Sequence, residues 1–239
     1  MEAAALLAPF SSAPERSALI LDVDGTLAPI VPRPELAAVP GDTRAELERL
    51  ARRYLLVACV SGRAGADARR LVGVEGIEYV GNHGLELDPR AAELAGEIRR
   101  FREAVGLPVE DKTLSLSYHY REAEDEERAR AELEAVAVEA QAARLDARWG
   151  RKVLEIRPPV PADKGTAVSA LLERSGARQG LYAGDDTTDL DAFAGLAAAG
   201  LDHAVRIAVT SDEGPGELAE TADLVVRGTP ELAALLRLL

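Results

Sequence analysis

The sequence predicts an α/β fold in which a parallel sheet wrapped by helices carries a smaller inserted α+β module. Two observations predict it. Short apolar runs alternate with helical patterns in the first and last thirds of the chain, the order that builds parallel sheets. The middle third changes texture to helix, strand, helix and hairpin, and ends in the stiff segment Pro158-Pro159-Val160-Pro161. The boundaries drawn from this change are 1–87 and 159–239 for the larger domain and 88–158 for the insert.

Each element has its own signal. Met1 to Ser12 is mildly apolar but carries Glu2 and no basic leader, which reads as a frayed start rather than a signal peptide. Ala18 to Leu21 is a buried strand, and Asp42 to Arg53 is a helix with Ala45, Leu47 and Leu50 among charges. Tyr54 to Val60 and Ile77 to Val80 are the second and third strands. In the insert, Ala91 to Val105 is helical. Leu114, Leu116 and Tyr118 then alternate with Ser115, Ser117 and His119, the period of a half-exposed strand. Asp125 to Ala143 is a long charged helix, and Leu145 to Trp149 with Lys152 to Ile156 forms a hairpin around Gly150. Beyond the insert, Gly180 to Ala183, Val205 to Val209 and Leu224 to Val226 are strands, with an Ala-rich helix over Thr188 to Ala199. Thr229 as N-cap and Pro230 as first helical residue open the last helix.

Composition excludes several classes of partner. With 239 residues and 47% hydrophobic content the chain can bury a core, built mainly from Ala, Leu and Val because only three Phe, one Trp and five Tyr are present. A net charge of −13 repels nucleic acid and anionic membrane, both of which need a basic footprint. No apolar run approaches the roughly 20 residues of a membrane span. The single cysteine, Cys59, forms no internal disulfide and sits inside a strand, buried and inert, which suits a reducing cytoplasm. The expected protein is a cytoplasmic monomer.

Four segments carry chemistry. Asp22-Val23-Asp24-Gly25-Thr26 follows the first strand, where ligands bind in an open parallel sheet. Gly184-Asp185-Asp186-Thr187-Thr188-Asp189 follows another strand. One Asp-Gly is only a turn and one Asp only a helix cap, but five carboxylates on one rim repel one another unless a cation sits among them or some protonate. Hard oxygen donors of this kind suit magnesium. Between these clusters, Ser61 of Ser61-Gly62-Arg63 ends a strand and can hold a phosphate oxygen, and Lys164 opens a helix and can place an ammonium beside it. Taken alone, Ser61 is more often a helix cap and Lys164 a surface charge; the four segments in this order change that reading.

Together these segments resemble the four signature motifs of the haloacid dehalogenase superfamily. The resemblance implies a Rossmann-like core with Asp22 as nucleophile, Asp24 as general acid and base, and Ser61 and Lys164 on the phosphate. It also implies Mg2+ held by Asp22, the Asp24 backbone carbonyl and Asp185, with Asp186 and Asp189 supporting that shell, and an α+β cap of the C2 type. Three further stretches resemble the trehalose-6-phosphate phosphatase family: Gly81-Asn82-His83-Gly84-Leu85-Glu86; Val109 to Lys112 with Leu114 to Arg121; and Gly150 to Pro158. By that resemblance Glu110, Lys112 and Glu155 hydrogen-bond the glucose hydroxyls of the leaving disaccharide. Arg63, Asn82, His119, Arg121 and Arg151 are further candidates in the pocket, Arg151 standing where many members have Lys. Without the family, Glu110 to Lys112 reads as a solvated strand edge, Glu155 as a surface partner of Lys152 or Arg157, and His119 as facing water. His203 reads as a loop residue and Trp149 as cap packing. The implied activity is hydrolysis of trehalose 6-phosphate, a small sugar phosphate. The rivals are a phosphatase for sucrose phosphate or a mannosyl phosphoglycerate, and a catalytically silent sugar-phosphate sensor.

Overall fold

The computed structural model describes residues 2–31, 33, 36–150, 152–211 and 214–239, and it divides into two compact units, Met1–Gly84 with Ala162–Leu239, and Leu85–Pro161. The larger unit is built on a six-stranded sheet of β1 (Ser17–Leu21), β2 (Leu56–Val60), β3 (Glu78–Val80), β8 (Gln179–Gly184), β9 (His203–Thr210) and β10 (Leu224–Arg227). Its order is β10-β9-β8-β1-β2-β3 and every pairing is parallel. All five residues of β1 are buried, which is why a centrally placed parallel strand reads as a continuous apolar run rather than an alternating one. The helices of this unit are α1 (Glu2–Ser12), α2 (Gly41–Ala51), α3 (Gly65–Val72), α7 (Lys164–Ser175), α8 (Thr188–Ala198), α9 (Gly216–Thr221) and α10 (Gly228–Leu236). Leu47, Leu50 and Val72 pack from the helices onto Leu19, Leu21, Val57 and Ile207 of the sheet.

The N-terminal segment corrects the sequence reading. It is not frayed: α1 buries Leu7 and Phe10 in the main core, and the Phe10 ring lies tilted against His203 at 5.1 Å. His203 is likewise not a loop residue. It begins β9, and its Nε2 bonds the Leu6 carbonyl at 2.8 Å. A modest apolar count concealed both because the contact joins residues nearly 200 positions apart. The last helix also starts earlier than expected. Arg227 is its N-cap, and Glu231 reaches back to accept the Arg227 backbone N–H at 2.6 Å, so Thr229 and Pro230 lie within the first turn.

The smaller unit holds α4 (Pro89–Glu93), α5 (Ala95–Val105), β4 (Glu110–Asp111), β5 (Leu116–His119), α6 (Glu126–Ala142), β6 (Asp146–Gly150) and β7 (Val153–Arg157). Its strands form an antiparallel sheet of order β4-β5-β7-β6. One face, carrying Leu116, Tyr118, Leu154 and Ile156, packs on Ile98 and Phe101 of α5 and Leu133 and Val136 of α6. The other face is polar, with Glu110, Ser117, Glu155 and Arg148 directly opposite one another across the four strands. The expected half-exposed alternation of β5 is incomplete, since Ser115 and Ser117 are buried as fully as their apolar neighbours. No described helix is long and apolar enough to cross a membrane.

Candidate active site

Parallel pairing brings the chemical segments to one rim. β1 lies between β8 and β2, with Leu21 opposite both Ala183 and Cys59. The residues that follow these three strands, Asp22, Asp185 and Ser61, therefore leave the sheet at its carboxyl edge. The Asp22 N–H extends the ladder by donating to the Ala183 carbonyl at 2.9 Å. Gly25 then turns the chain at φ +80°, and a Cβ there would stand 2.0 Å from the Asp185 carboxylate. Only glycine lets the two acidic loops approach this closely. Thr26 Oγ1 donates to Asp185 at 3.2 Å across the same gap.

Lys164 is the first residue of α7, a start fixed by a capping box. Asp163 accepts the Thr166 N–H at 2.7 Å, and Thr166 Oγ1 accepts the Asp163 N–H at 2.9 Å. A cation at a helix N-terminus opposes the helix dipole. Here two buried carboxylates offset that cost, for Lys164 Nζ donates to Asp22 at 2.8 Å and to Asp189 at 2.7 Å. Asp189 is the hub. Besides Lys164, its Oδ1 accepts the Tyr182 hydroxyl at 2.7 Å, and its Oδ2 accepts the backbone N–H groups of Asp185 and Asp186 at 2.8 Å each. One carboxylate thus orients the lysine and ties down the loop that carries Asp185.

Asp22, Asp185 and Asp189 each present an oxygen, and these atoms lie within 4.8 Å of one another. Burial pushes the Asp22 carboxyl up to about 7, against the lowering pull of Lys164. Burial and the neighbouring Asp22 and Asp189 push Asp185 up to about 9. Burial opposes the Lys164 ammonium, yet Asp189 and Asp22 outweigh it and hold its pKa above the ordinary lysine range. Such a concentration of hard oxygens, only partly neutralised by one lysine, fits a divalent cation. Both Asp189 oxygens are already engaged by donors, so Asp22 and Asp185 have the spare lone pairs. Asp24 turns elsewhere: its carboxylate makes a bidentate pair with Arg63, 2.7 Å at each contact. Ser61 is buried, and its Oγ accepts the Arg63 N–H at 3.1 Å. Asp186 is exposed and accepts the Thr187 N–H at 2.6 Å.

The smaller unit has its own polar cluster. Glu110 bonds His119 Nε2 at 2.8 Å, and Lys112 Nζ stands 3.9 Å from Glu110 and 3.9 Å from Glu155. Ser115 donates to Glu155 at 3.1 Å. The suggested Lys152–Glu155 pair does not form, because Lys152 bonds Glu126 at 2.6 Å. Trp149 packs edge-on against Tyr120 at 6.3 Å, with Arg130 over its ring at 5.1 Å.

A family model described as trehalose-phosphatase matches residues 20–97 and 97–229. The chain belongs to the trehalose-phosphatase family. A trehalose-phosphate phosphatase of Mycolicibacterium paratuberculosis is 36% identical over 74% of this chain and 50% of that protein. An uncharacterized glycosyl hydrolase of Mycobacterium tuberculosis is 37% identical over 80% of this chain but 16% of that protein. The chain therefore spans about half the length of the first of these relatives and a small part of the second. The C-terminal domain of the Candida albicans trehalose-6-phosphate phosphatase shares the fold, with a TM-score of 0.73 at 22% identity over 100% of this chain and 96% of that one. The fold is of the haloacid dehalogenase type.

For this trehalose-phosphatase family member, the structure gathers Asp22, Lys164, Asp185 and Asp189 in one network and pairs Asp24 with Arg63. Asn82 is buried beside them, its N–H donating to the Arg63 carbonyl at 2.8 Å. Glu110, Lys112, His119 and Glu155 share the polar face of the smaller sheet, whereas Arg121 is exposed beyond β5. Arg151 lies outside the described residues. Sequence reasoning missed Tyr182, the buried donor to Asp189. A lone tyrosine in an apolar strand reads as packing, and its two-residue spacing before Gly184 was the available clue. It also missed the Asp24–Arg63 pair and Ser115.

Proposed function

We propose that the chain hydrolyses trehalose 6-phosphate to trehalose and inorganic phosphate, with Asp22 as the nucleophile. The observation that carries the reading is the buried Asp22 carboxylate, held at 2.8 Å by Lys164 on the rim shared with Asp185. A phosphate monoester hydrolyses extremely slowly in water, so the site must supply a very large acceleration. In this reading an Asp22 oxygen attacks phosphorus as the phosphorus–oxygen bond to the sugar breaks, and Asp24 gives its proton to the leaving oxygen. Water then attacks phosphorus in the aspartyl phosphate, Asp24 takes its proton, and the Asp22 carboxylate leaves with phosphate released. Lys164 offsets repulsion between Asp22 and the phosphate, and Ser61 Oγ can donate to a phosphate oxygen.

The Arg63 guanidinium that holds Asp24 would turn toward the phosphate when Asp24 carries its proton. Asp22 and Asp185, with the Asp24 carbonyl, would hold magnesium, which when bound supplies positive charge to the phosphoryl oxygens. Asp189 and Asp186 support this arrangement through the loop. Glu110, Lys112 and Glu155 would receive the sugar hydroxyls, for a lysine between two glutamates offers donors and acceptors together. Asn82, His119, Arg121 and Arg151 would add further contacts to the substrate.

The test is phosphate release from trehalose 6-phosphate, sucrose 6-phosphate and mannosyl phosphoglycerate, each with magnesium and with chelator. Magnesium-dependent release, fastest from trehalose 6-phosphate, is expected, and release from no sugar phosphate would favour the silent sensor. Asp22→Asn is expected to remove turnover while leaving the circular dichroism spectrum unchanged; near-normal turnover would refute the nucleophile.

A further inference from the structure

We infer that Ser115 is a positioning residue for sugar recognition, its hydroxyl fixing the Glu155 carboxylate in the orientation that meets the leaving sugar. The inference rests on the role given to Glu155 in the proposed function and adds a residue to which the sequence assigned no role.

Ser115 sits where the turn after β4 enters β5. Thr113 takes a left-handed φ of +70°, and the Lys112 N–H donates to the Ser115 carbonyl at 3.0 Å. The turn thereby sets the backbones of Lys112 and Ser115 side by side, and the side chains of both reach Glu155 of β7. Ser115 has 0% of its surface exposed, and its Oγ donates to Glu155 Oε1 at 3.1 Å. A hydroxyl buried this fully needs a partner, and the Glu155 carboxylate supplies one.

The cations near Glu155 differ in kind. Lys112 Nζ is 3.9 Å from Oε1, and Arg157 Nη1 is 3.9 Å from Oε2. At that separation a cation contributes charge but imposes little direction, whereas a hydrogen bond at 3.1 Å fixes where the lone pairs point. Sugar recognition depends on direction, because each hydroxyl must meet an acceptor along its O–H axis. A glutamate free to rotate would lose rotamer freedom on binding, and one already held by Ser115 loses less. The hydroxyl is also neutral, so it orients Glu155 without cancelling the charge that attracts a sugar hydroxyl.

The test is steady-state kinetics of Ser115→Ala, Glu155→Ala and the double variant, with magnesium, on trehalose 6-phosphate and on p-nitrophenyl phosphate. Ser115→Ala is expected to raise KM for trehalose 6-phosphate about tenfold more than KM for p-nitrophenyl phosphate, the size of one hydrogen bond to a charged group, with kcat changed much less. In the Glu155→Ala background the same substitution should add less than about twofold, because it acts through the carboxylate. Ser115→Thr, which keeps the hydroxyl, should recover most of the loss. Equal losses on both esters, or an undiminished effect without Glu155, would make Ser115 merely structural and overturn the inference. A wild-type KM for trehalose 6-phosphate in Ser115→Ala would overturn it alone, leaving the proposed function standing. A wild-type chain silent on trehalose 6-phosphate would overturn both.

Discussion

Replacing Asp189 by asparagine keeps the shape of the side chain and removes one acceptor from a group that uses all of its capacity. In the native protein four donors converge on this carboxylate: Lys164 and Tyr182 on Oδ1, and the Asp185 and Asp186 N–H groups on Oδ2. Whichever way the amide turns, its NH2 faces two donors. Two bonds to a charged acceptor are lost, at about 1.5–3 kcal/mol each, and breaking a buried pair costs about 3–5 kcal/mol by the same kind of measurement. An amide is easier to bury than a carboxylate, which works against the loss, so the low end, about 3 kcal/mol, is expected. For a chain of this size that lowers Tm by roughly 6–12 °C. Tyr182→Phe removes one of the same four bonds and supplies the internal scale, with about half the shift expected. Thermal melts by circular dichroism of wild type and both variants in chelator decide the matter. An Asp189→Asn shift no larger than that of Tyr182→Phe would refute the hub.

Four further outcomes are expected. Asp22 and Asp185 are raised to about 7 and about 9, so the folded chain keeps protons that the unfolded chain has released above about pH 4; without metal, stability should fall as pH rises from about 4 through 9. Magnesium needs those carboxylates ionised, so its increment in Tm should grow between about pH 5 and about pH 9, and an increment independent of pH would contradict the assignment. Glu110→Ala should reduce turnover of trehalose 6-phosphate far more than that of p-nitrophenyl phosphate, and equal losses would make Glu110 structural. Phe10→Ala empties a fully buried site in the main core and should destabilise the chain by about 3–5 kcal/mol in urea unfolding; an unchanged midpoint would mean that α1 does not dock in solution.

What the sequence made legible was whatever local pattern or short spacing encodes. The parallel strands announced themselves because a strand buried on both faces is apolar throughout, as Ala18 to Leu21 is. The acidic segments were visible because carboxylates gathered at strand ends repel one another and call for a compensating cation. What escaped depended on partners that no local pattern names. Phe10 gains its meaning from His203, and Tyr182 from the one of several nearby aspartates that turns inward. Ser115 looked like the polar half of an alternation, and only the pairing of β5 with β7 brings its neighbourhood to Glu155. Arg63 was assigned to substrate on its motif, and the Asp24 carboxylate beside it required the geometry of two loops.

The sheet order places β3 at one margin, and the smaller unit begins a few residues after that strand and ends shortly before α7. No ladder of the six-stranded sheet has a member on the excursion, so its length and content can change without unpairing a strand of that sheet. If the smaller unit reads the sugar as proposed, a different reader can be grafted at this junction while the acidic rim is kept. Diversity of substrate within such a lineage should accumulate between residues 85 and 161, and the strands on either side should vary for reasons of packing alone.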